Sequence, residues 1–244
     1  MDDPLINKVL HPPPVTWGRW LGDLVGLFMP PLCSACDRGL MPFERALCLD
    51  CLRDLPLARF GGFADNPVAQ RFRGRVRIEA ASALLRFVPG GKVQRVLHRL
   101  KYANDERAGL LLGRLMAEDI LRCGRFATVD AIVPVPLHPR RKRQRGYNQS
   151  EVLARGMREA WDVPVRCEAL TRAVRTATQT RRGRIERWSN VRTAFTVPRP
   201  AEVQGRHLLL VDDVVTTGAT IEACATALLA VPGARVSVYT AAFA

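Results

Sequence analysis

No apolar run in this 244-residue sequence is long enough to cross a bilayer, so a membrane span is not expected. The most hydrophobic early run, WLGDLVGLFMPPL, carries Asp23 and ends at two prolines. It reads as a docking helix, with Trp17, Trp20, Leu24 and Phe28 as its packing residues. The opening MDDPLINKVLHPPP is acidic and proline-broken, without the basic region and apolar core of a secretory signal. Cysteines are few and odd in number, seven in all, and Cys123, Cys167 and Cys224 stand alone. That argues against a disulfide framework and for a reducing, cytoplasmic setting. Acids are scarce as well: 23 Asp+Glu against 37 Lys+Arg give a net charge of +14. Such an excess favours polyanionic partners, nucleic acid or phosphorylated small molecules, and says nothing about fold. With 48% hydrophobic and 25% charged residues, a disordered chain is excluded. There are no internal repeats.

What is present is an alternation of apolar runs and amphipathic segments. RFRGRVRIEAASALLRF is expected as a strand that begins with arginines at 71, 73, 75 and 77. Val93, Val96, Leu97 and Leu100 fall at helical spacing, and Leu111 to Leu121 gives a second helix. VDAIVPVP (129–136) is a buried strand, and YNQSEVLARGMREAW (147–161) an amphipathic helix. A short strand is expected near 164–170, then an arginine-rich loop over 171–190. HLLLV (207–211) is a second buried strand, followed by a helix over about 219–230 and a last strand, ARVSVYTAAF. Alternation of this kind through 129–244 indicates a parallel α/β sheet.

CSAC and CLDC set Cys33, Cys36, Cys48 and Cys51 in a Cys-x2-Cys-x11-Cys-x2-Cys arrangement. Two-residue gaps let each pair pinch one ion, and four thiolates suit a closed, structural tetrahedral Zn²⁺ site. A redox role for one CxxC would leave the second pair unexplained.

The stretch HLLLVDDVVTTGAT puts two carboxylates, Asp212 and Asp213, ahead of a Thr/Gly turn that opens a helix. Backbone N–H groups at such a helix start, with the hydroxyls of Thr216, Thr217 and Thr220, can cradle a phosphate, and Gly218 permits the tight turn. Two acids beside it would repel a bare phosphate, but carboxylates accept hydrogen bonds from vicinal hydroxyls. Phosphate at one end and a diol nearby describe a ribose 5-phosphate.

This segment resembles the 5-phosphoribosyl-1-pyrophosphate (PRPP) motif of type I phosphoribosyltransferases. The resemblance implies that Asp212 and Asp213 meet the ribose hydroxyls and are the best candidates for any catalytic part. It implies that Thr216, Thr217, Gly218, Ala219 and Thr220 bind the 5′-phosphate. IVPVPLHPRRKRQRGYNQSEVLAR (132–155), LKYANDERAG (100–109) and TATQTRRGRIERWSNVRTAF (176–195), with the four cysteines ahead of them, are similar to the competence protein F (ComF) family. Members of that family are linked to natural transformation and the handling of incoming single-stranded DNA. The implied architecture is a zinc module with an N-terminal helix over 1–60, a linking hood segment over 61–128, and a phosphoribosyltransferase-like PRPP-binding core over 129–244. By the same resemblance, Leu137, His138, Arg140 and Arg141 would meet pyrophosphate, Mg²⁺ would bridge pyrophosphate and ribose, and the loop around 172–187 would close over the site. Several purine-using relatives place an acid where this chain has Thr216. Two functions stay open: a binding protein for a phosphoribosyl ligand in competence, or an active transferase with an unidentified nucleophile.

HPRRKRQR holds five Lys/Arg in eight residues, and 171–192 holds seven arginines against one glutamate. Together with the 71–77 arginines they could form a track for single-stranded nucleic acid. Arg143, Arg145, Arg182 and Arg184 would lie on that track, with Tyr147 and Trp188 for stacking. Equally, two patches could serve pyrophosphate and the third be solvated surface. His98 and His207 are expected to be structural. Lys101 and Tyr102 belong to the family resemblance, without an assigned chemistry.

Overall fold

The computed structural model describes residues 31–172 and 195–244. Buried apolar runs become four parallel strands in one sheet: β1 (Ala81–Arg86), β2 (Ala131–Pro134), β5 (His207–Val215) and β6 (Arg235–Phe243), in the order β1-β6-β5-β2. Two residue pairs form a separate antiparallel ladder, β3 (Thr171–Arg172) with β4 (Phe195–Thr196). The helices are α1 (Leu49–Arg53), α2 (Pro67–Gln70), α3 (Lys92–Tyr102), α4 (Glu106–Cys123), α5 (Pro139–Arg145), α6 (Gln149–Arg158) and α7 (Ala219–Leu229). Parallel strands need crossovers, and these helices supply them. β5 is central, in register with β6 from His207↔Arg235 to Val215↔Phe243 and with β2 from Ala131↔Leu208 to Pro134↔Val211.

Because neighbouring side chains on a strand point to opposite faces, β5 feeds two cores. Leu209 and Val211 join α3, α4 and α6, while Leu208 and Leu210 join Phe72 and the inner side of α7. Cys33, Leu40, Leu47, Cys51 and Leu52 belong to the first of these cores, so the four-cysteine segment packs directly against α3 and α4. Ser34 Oγ donates to Asp105 Oδ2 (2.5 Å), and Asp105 in turn caps α4 through Ala108 N.

The strands depart from the sequence reading in three places. Residues 71–77 form turns, not the start of a strand; β1 begins at Ala81. Phe72, which is buried, and Val76 are four apart, so they dock one side on the second core, and the alternating arginines occupy exposed positions around them. The strand expected near 164–170 reduces to a single bridge, Ile132↔Val165. β5 runs four residues past HLLLV, so both acids lie within the strand.

α4 and α6 pack at backbone distance. A Cβ on Gly113 would sit 2.2 Å from Leu153 O, and one on Gly156 2.3 Å from Leu110 O. Asn148 caps α6 through Ser150 N (3.2 Å) and donates to Val135 O (3.0 Å), which ties the start of α6 to the end of β2. Gly156→Ala is expected to cost about 3 kcal/mol, a fall in Tm of roughly 10 °C, because the obstacle is a carbonyl of the opposing backbone. Gly62→Ala, with nothing within 4 Å, should leave thermal unfolding unchanged.

Candidate functional site

The last turns of β5 bring two carboxylates to the C-terminal edge of the sheet, where open α/β folds bind ligands. Their surroundings differ. Asp213 Oδ2 pairs with Lys101 Nζ from the end of α3 at 2.9 Å. Asp212 Oδ1 accepts from Ser150 Oγ (2.9 Å) in the first turn of α6 and from Asp213 N (2.9 Å). Burial, and then the charge of Asp213, push the Asp212 carboxyl up to about 7. One acid is therefore paired with a lysine, and the other has its carboxyl raised towards neutral pH. Lys101 and Ser150 were not assigned from sequence, since their partners are more than sixty residues away.

Beyond Val215 the chain turns through Thr216 and Thr217 to Gly218, which caps α7 with φ +77°. Thr216, Thr217 and Thr220 are exposed, Ala219 is half-buried and Gly218 is buried. The N–H groups that open α7 have no intrahelical partners and suit an anion. The loop is backed by the 71–77 segment. A Cβ on Gly218 would lie 2.9 Å from Phe72 Cε1, Arg75 Nη1 donates to Thr217 O (2.8 Å), and Arg75 also pairs with Glu222 of α7. Arg75 is thus a loop brace, which the alternating arginine pattern concealed.

The residues expected to meet pyrophosphate lie partly on a helix. Leu137 is half-buried. His138 caps α5, its Nδ1 accepting from Arg140 N (3.2 Å), and Arg140 and Arg141 are exposed in the first turn. Pro139 at the first helical position favours this start. Arg172 of β3 sits over the Phe195 ring (5.3 Å); burial and then Arg141 lower its pKa, while Cys224 and Asp212 oppose that shift. Burial, with Arg172 and the α5 arginines, holds the His138 imidazole below its ordinary value. Arg172 thus stands within the electrostatic reach of both Arg141 and Asp212.

Of the residues expected on a nucleic-acid track, Arg143 is exposed on α5, and Arg145 donates to Gln149 Oε1 (2.9 Å). Tyr147 corrects the expectation: it is 9% exposed, its hydroxyl donates to the Leu100 carbonyl, and it is core, not a stacking surface. Arg182, Arg184 and Trp188 fall outside the described residues, as do the docking residues of the N-terminal helix. His207 is buried between Thr128 Oγ1 and Ser237 Oγ, each at 2.8 Å, in the structural role expected of it.

The four cysteine sulfurs all lie within 4.8 Å of one another, with Cys36 Sγ and Cys48 Sγ 3.7 Å apart. A tetrahedron of thiolates about 2.3 Å from zinc has edges of about 3.8 Å, so the donor set fits that ion. Cys48 N donates to Cys33 Sγ (3.3 Å). Burial raises the Cys33 thiol, but N–H donors from Cys48, Ala35 and Cys36 bring it down to about 7.

The Asp212 shift has a measurable consequence for stability. A carboxyl whose pKa is raised on folding binds its proton more tightly in the native state, so its contribution is full below about pH 4 and lost as pH rises to about 7. Asp212→Asn keeps the Oδ1 acceptor for Ser150 Oγ and Asp213 N and removes the charge. It should raise Tm by at least about 2 °C at pH 8, with the gain shrinking towards pH 5 in paired thermal melts.

No protein-family profile matches the chain. DNA utilization protein YhgH of Escherichia coli (strain K12) is 38% identical over 151 residues, 59% of this chain and 64% of that protein. YhgH of Salmonella typhi is 36% identical over the same length. Competence protein F of Haemophilus influenzae is 32% identical over 130 residues, 52% of this chain and 57% of that protein. The chain thus spans 57–64% of the length of these curated relatives. Among solved structures, an allosteric regulatory enzyme of purine biosynthesis has a TM-score of 0.42 at 21% identity, covering 56% of this chain and 26% of that one. The glutamine PRPP amidotransferase of B. subtilis has a TM-score of 0.41, also at 21% identity, covering 56% of this chain and 26% of that one. Among the described residues no helix is long and apolar enough to cross a membrane. The chain is a homologue of the proteins named DNA utilization protein YhgH and competence protein F.

Proposed function

We propose that this chain binds a phosphoribosyl ligand of the PRPP type and acts in DNA utilization and competence, on single-stranded DNA. The observation that carries the ligand is the pairing of Asp212 and Asp213 at the end of a buried strand with the Thr216–Thr220 turn at the start of α7. The turn offers N–H groups and hydroxyls to a phosphate, and the acids accept from a ribose diol. The arginines of α5 and Arg172 supply charge for a pyrophosphate group. Mg²⁺ would accompany such a ligand, held mostly by ligand oxygens and water. The DNA role is drawn from the names of the relatives and from the net charge of +14.

A second reading, transfer of phosphoribose to a nucleophile with release of pyrophosphate, is favoured by one observation. The chain has threonine at 216, yet Asp212, held at about 7, can accept a proton near neutral pH. Pyrophosphate release from PRPP, Mg²⁺ and candidate acceptors distinguishes the two readings: release supports transfer, and binding without release supports the first.

Titration calorimetry with PRPP and Mg²⁺ should show binding by the full chain and at least tenfold weaker binding by Asp213→Asn and by the double variant with Asp212→Asn. Equal affinity in the variants, or none in the natural chain, would overturn the ligand assignment. Cys33, Cys36, Cys48 and Cys51 would hold a structural zinc. Elemental analysis of the purified chain should find one zinc per molecule, and Cys48→Ser should lose it and lower Tm.

A further inference from the structure

Tyr147, the tyrosine closest to the α5 arginines in sequence, is buried, but another tyrosine takes up a position beside them. Tyr102, the last residue of α3, is 63% exposed, whereas the other described tyrosines, Tyr147 and Tyr239, are buried. Two contacts hold it. The Arg145 guanidinium lies 5.0 Å from the ring centroid, with Nη2 3.4 Å from the hydroxyl, and the His98 ring is tilted against it at 4.7 Å. Arg145 is itself fixed by Gln149 Oε1, at the buried start of α6. These contacts fix the ring while leaving most of its surface open to solvent.

The two helices that meet at this ring also carry exposed cations. Arg140, Arg141 and Arg143 are exposed along α5, a helix with no acidic residue of its own, and Arg95 is exposed on α3. Lys142 is the exception, being paired with Glu151 at 2.9 Å. Lys101, next to Tyr102 in sequence, is taken up by Asp213 at 2.9 Å. An exposed aromatic ring beside a row of arginines is the combination that binds single-stranded nucleic acid, with bases on the ring and phosphates on the cations.

We infer that Tyr102, steadied by His98 and Arg145, is a stacking platform for a base of single-stranded DNA whose phosphates follow α5. This rests on the DNA reading above and adds the surface that performs it.

The test is binding of the full chain to a fluorescent oligo(dT) and to a duplex of equal length, over a series of salt concentrations. Tyr102→Ala should weaken oligo(dT) binding by about tenfold and leave its salt slope unchanged, since stacking releases no counterions. Tyr102→Trp should retain binding and show tryptophan quenching when oligo(dT) is added. Arg143→Ala should reduce the slope by about 0.7, the value for one single-strand phosphate contact. Tyr102 is exposed, and an unchanged Tm in Tyr102→Ala would exclude unfolding as the cause. Oligo(dT) binding by the natural chain that Tyr102→Ala does not weaken, or equal sensitivity for the duplex, would overturn the platform while leaving the DNA reading intact. No oligo(dT) binding by the natural chain at low salt would overturn both.

Discussion

Two adjacent carboxylates at the end of a buried strand cannot both stay charged without an answering group for each. The structure provides unequal answers: Lys101 neutralises Asp213, and Asp212 receives a hydroxyl, a backbone N–H and, near neutral pH, a proton. Much of the surrounding architecture follows from that requirement. Lys101 is placed by the end of α3 and Ser150 by the start of α6. α6 is brought in by the glycine contact with α4 and by the Asn148 tether to β2. An arrangement that buries charge at some cost, and does not simply fill the position with apolar side chains, is characteristic of sites that bind or react.

The anion loop depends on a second constraint, because a turn at a sheet edge needs support from behind. Phe72 closes against Gly218 and Arg75 holds the Thr217 carbonyl, so the segment before β1 braces residues near the other end of the chain. Gly218 must be glycine on two grounds, its positive φ and the proximity of the Phe72 ring. The acids and the loop are therefore positioned from opposite faces of the sheet, by α3 and α6 on one side and by the 71–77 turns on the other.

The central strands, the helices α3, α4, α6 and α7, and the cysteine cluster were legible in the sequence, since each is written in local spacing. HLLLV and VDAIVPVP are unbroken apolar runs, and the two CxxC pairs state their own geometry. Asp212 and Asp213 could be located by the same means, but their difference could not, because Lys101 and Ser150 reach them only through the fold. The 71–77 arginines misled because alternation imitates a strand; the spacing of Phe72 and Val76 was the better guide. Tyr147 precedes the helix cap Asn148, a position that commonly packs inward as a hydrophobic staple. Tyr102, by contrast, lies with His98 on the side of α3 opposite Val93, Val96, Leu97 and Leu100. That pattern was available in the sequence and points outward.

The most direct test of the account is a crystal structure of the full chain with ribose 5-phosphate. Phosphate is expected on the N–H groups and hydroxyls of Thr216–Thr220, and the ribose diol on Asp212 and Asp213. Phosphate seated on the α5 arginines, with that loop and both acids unengaged, would contradict it.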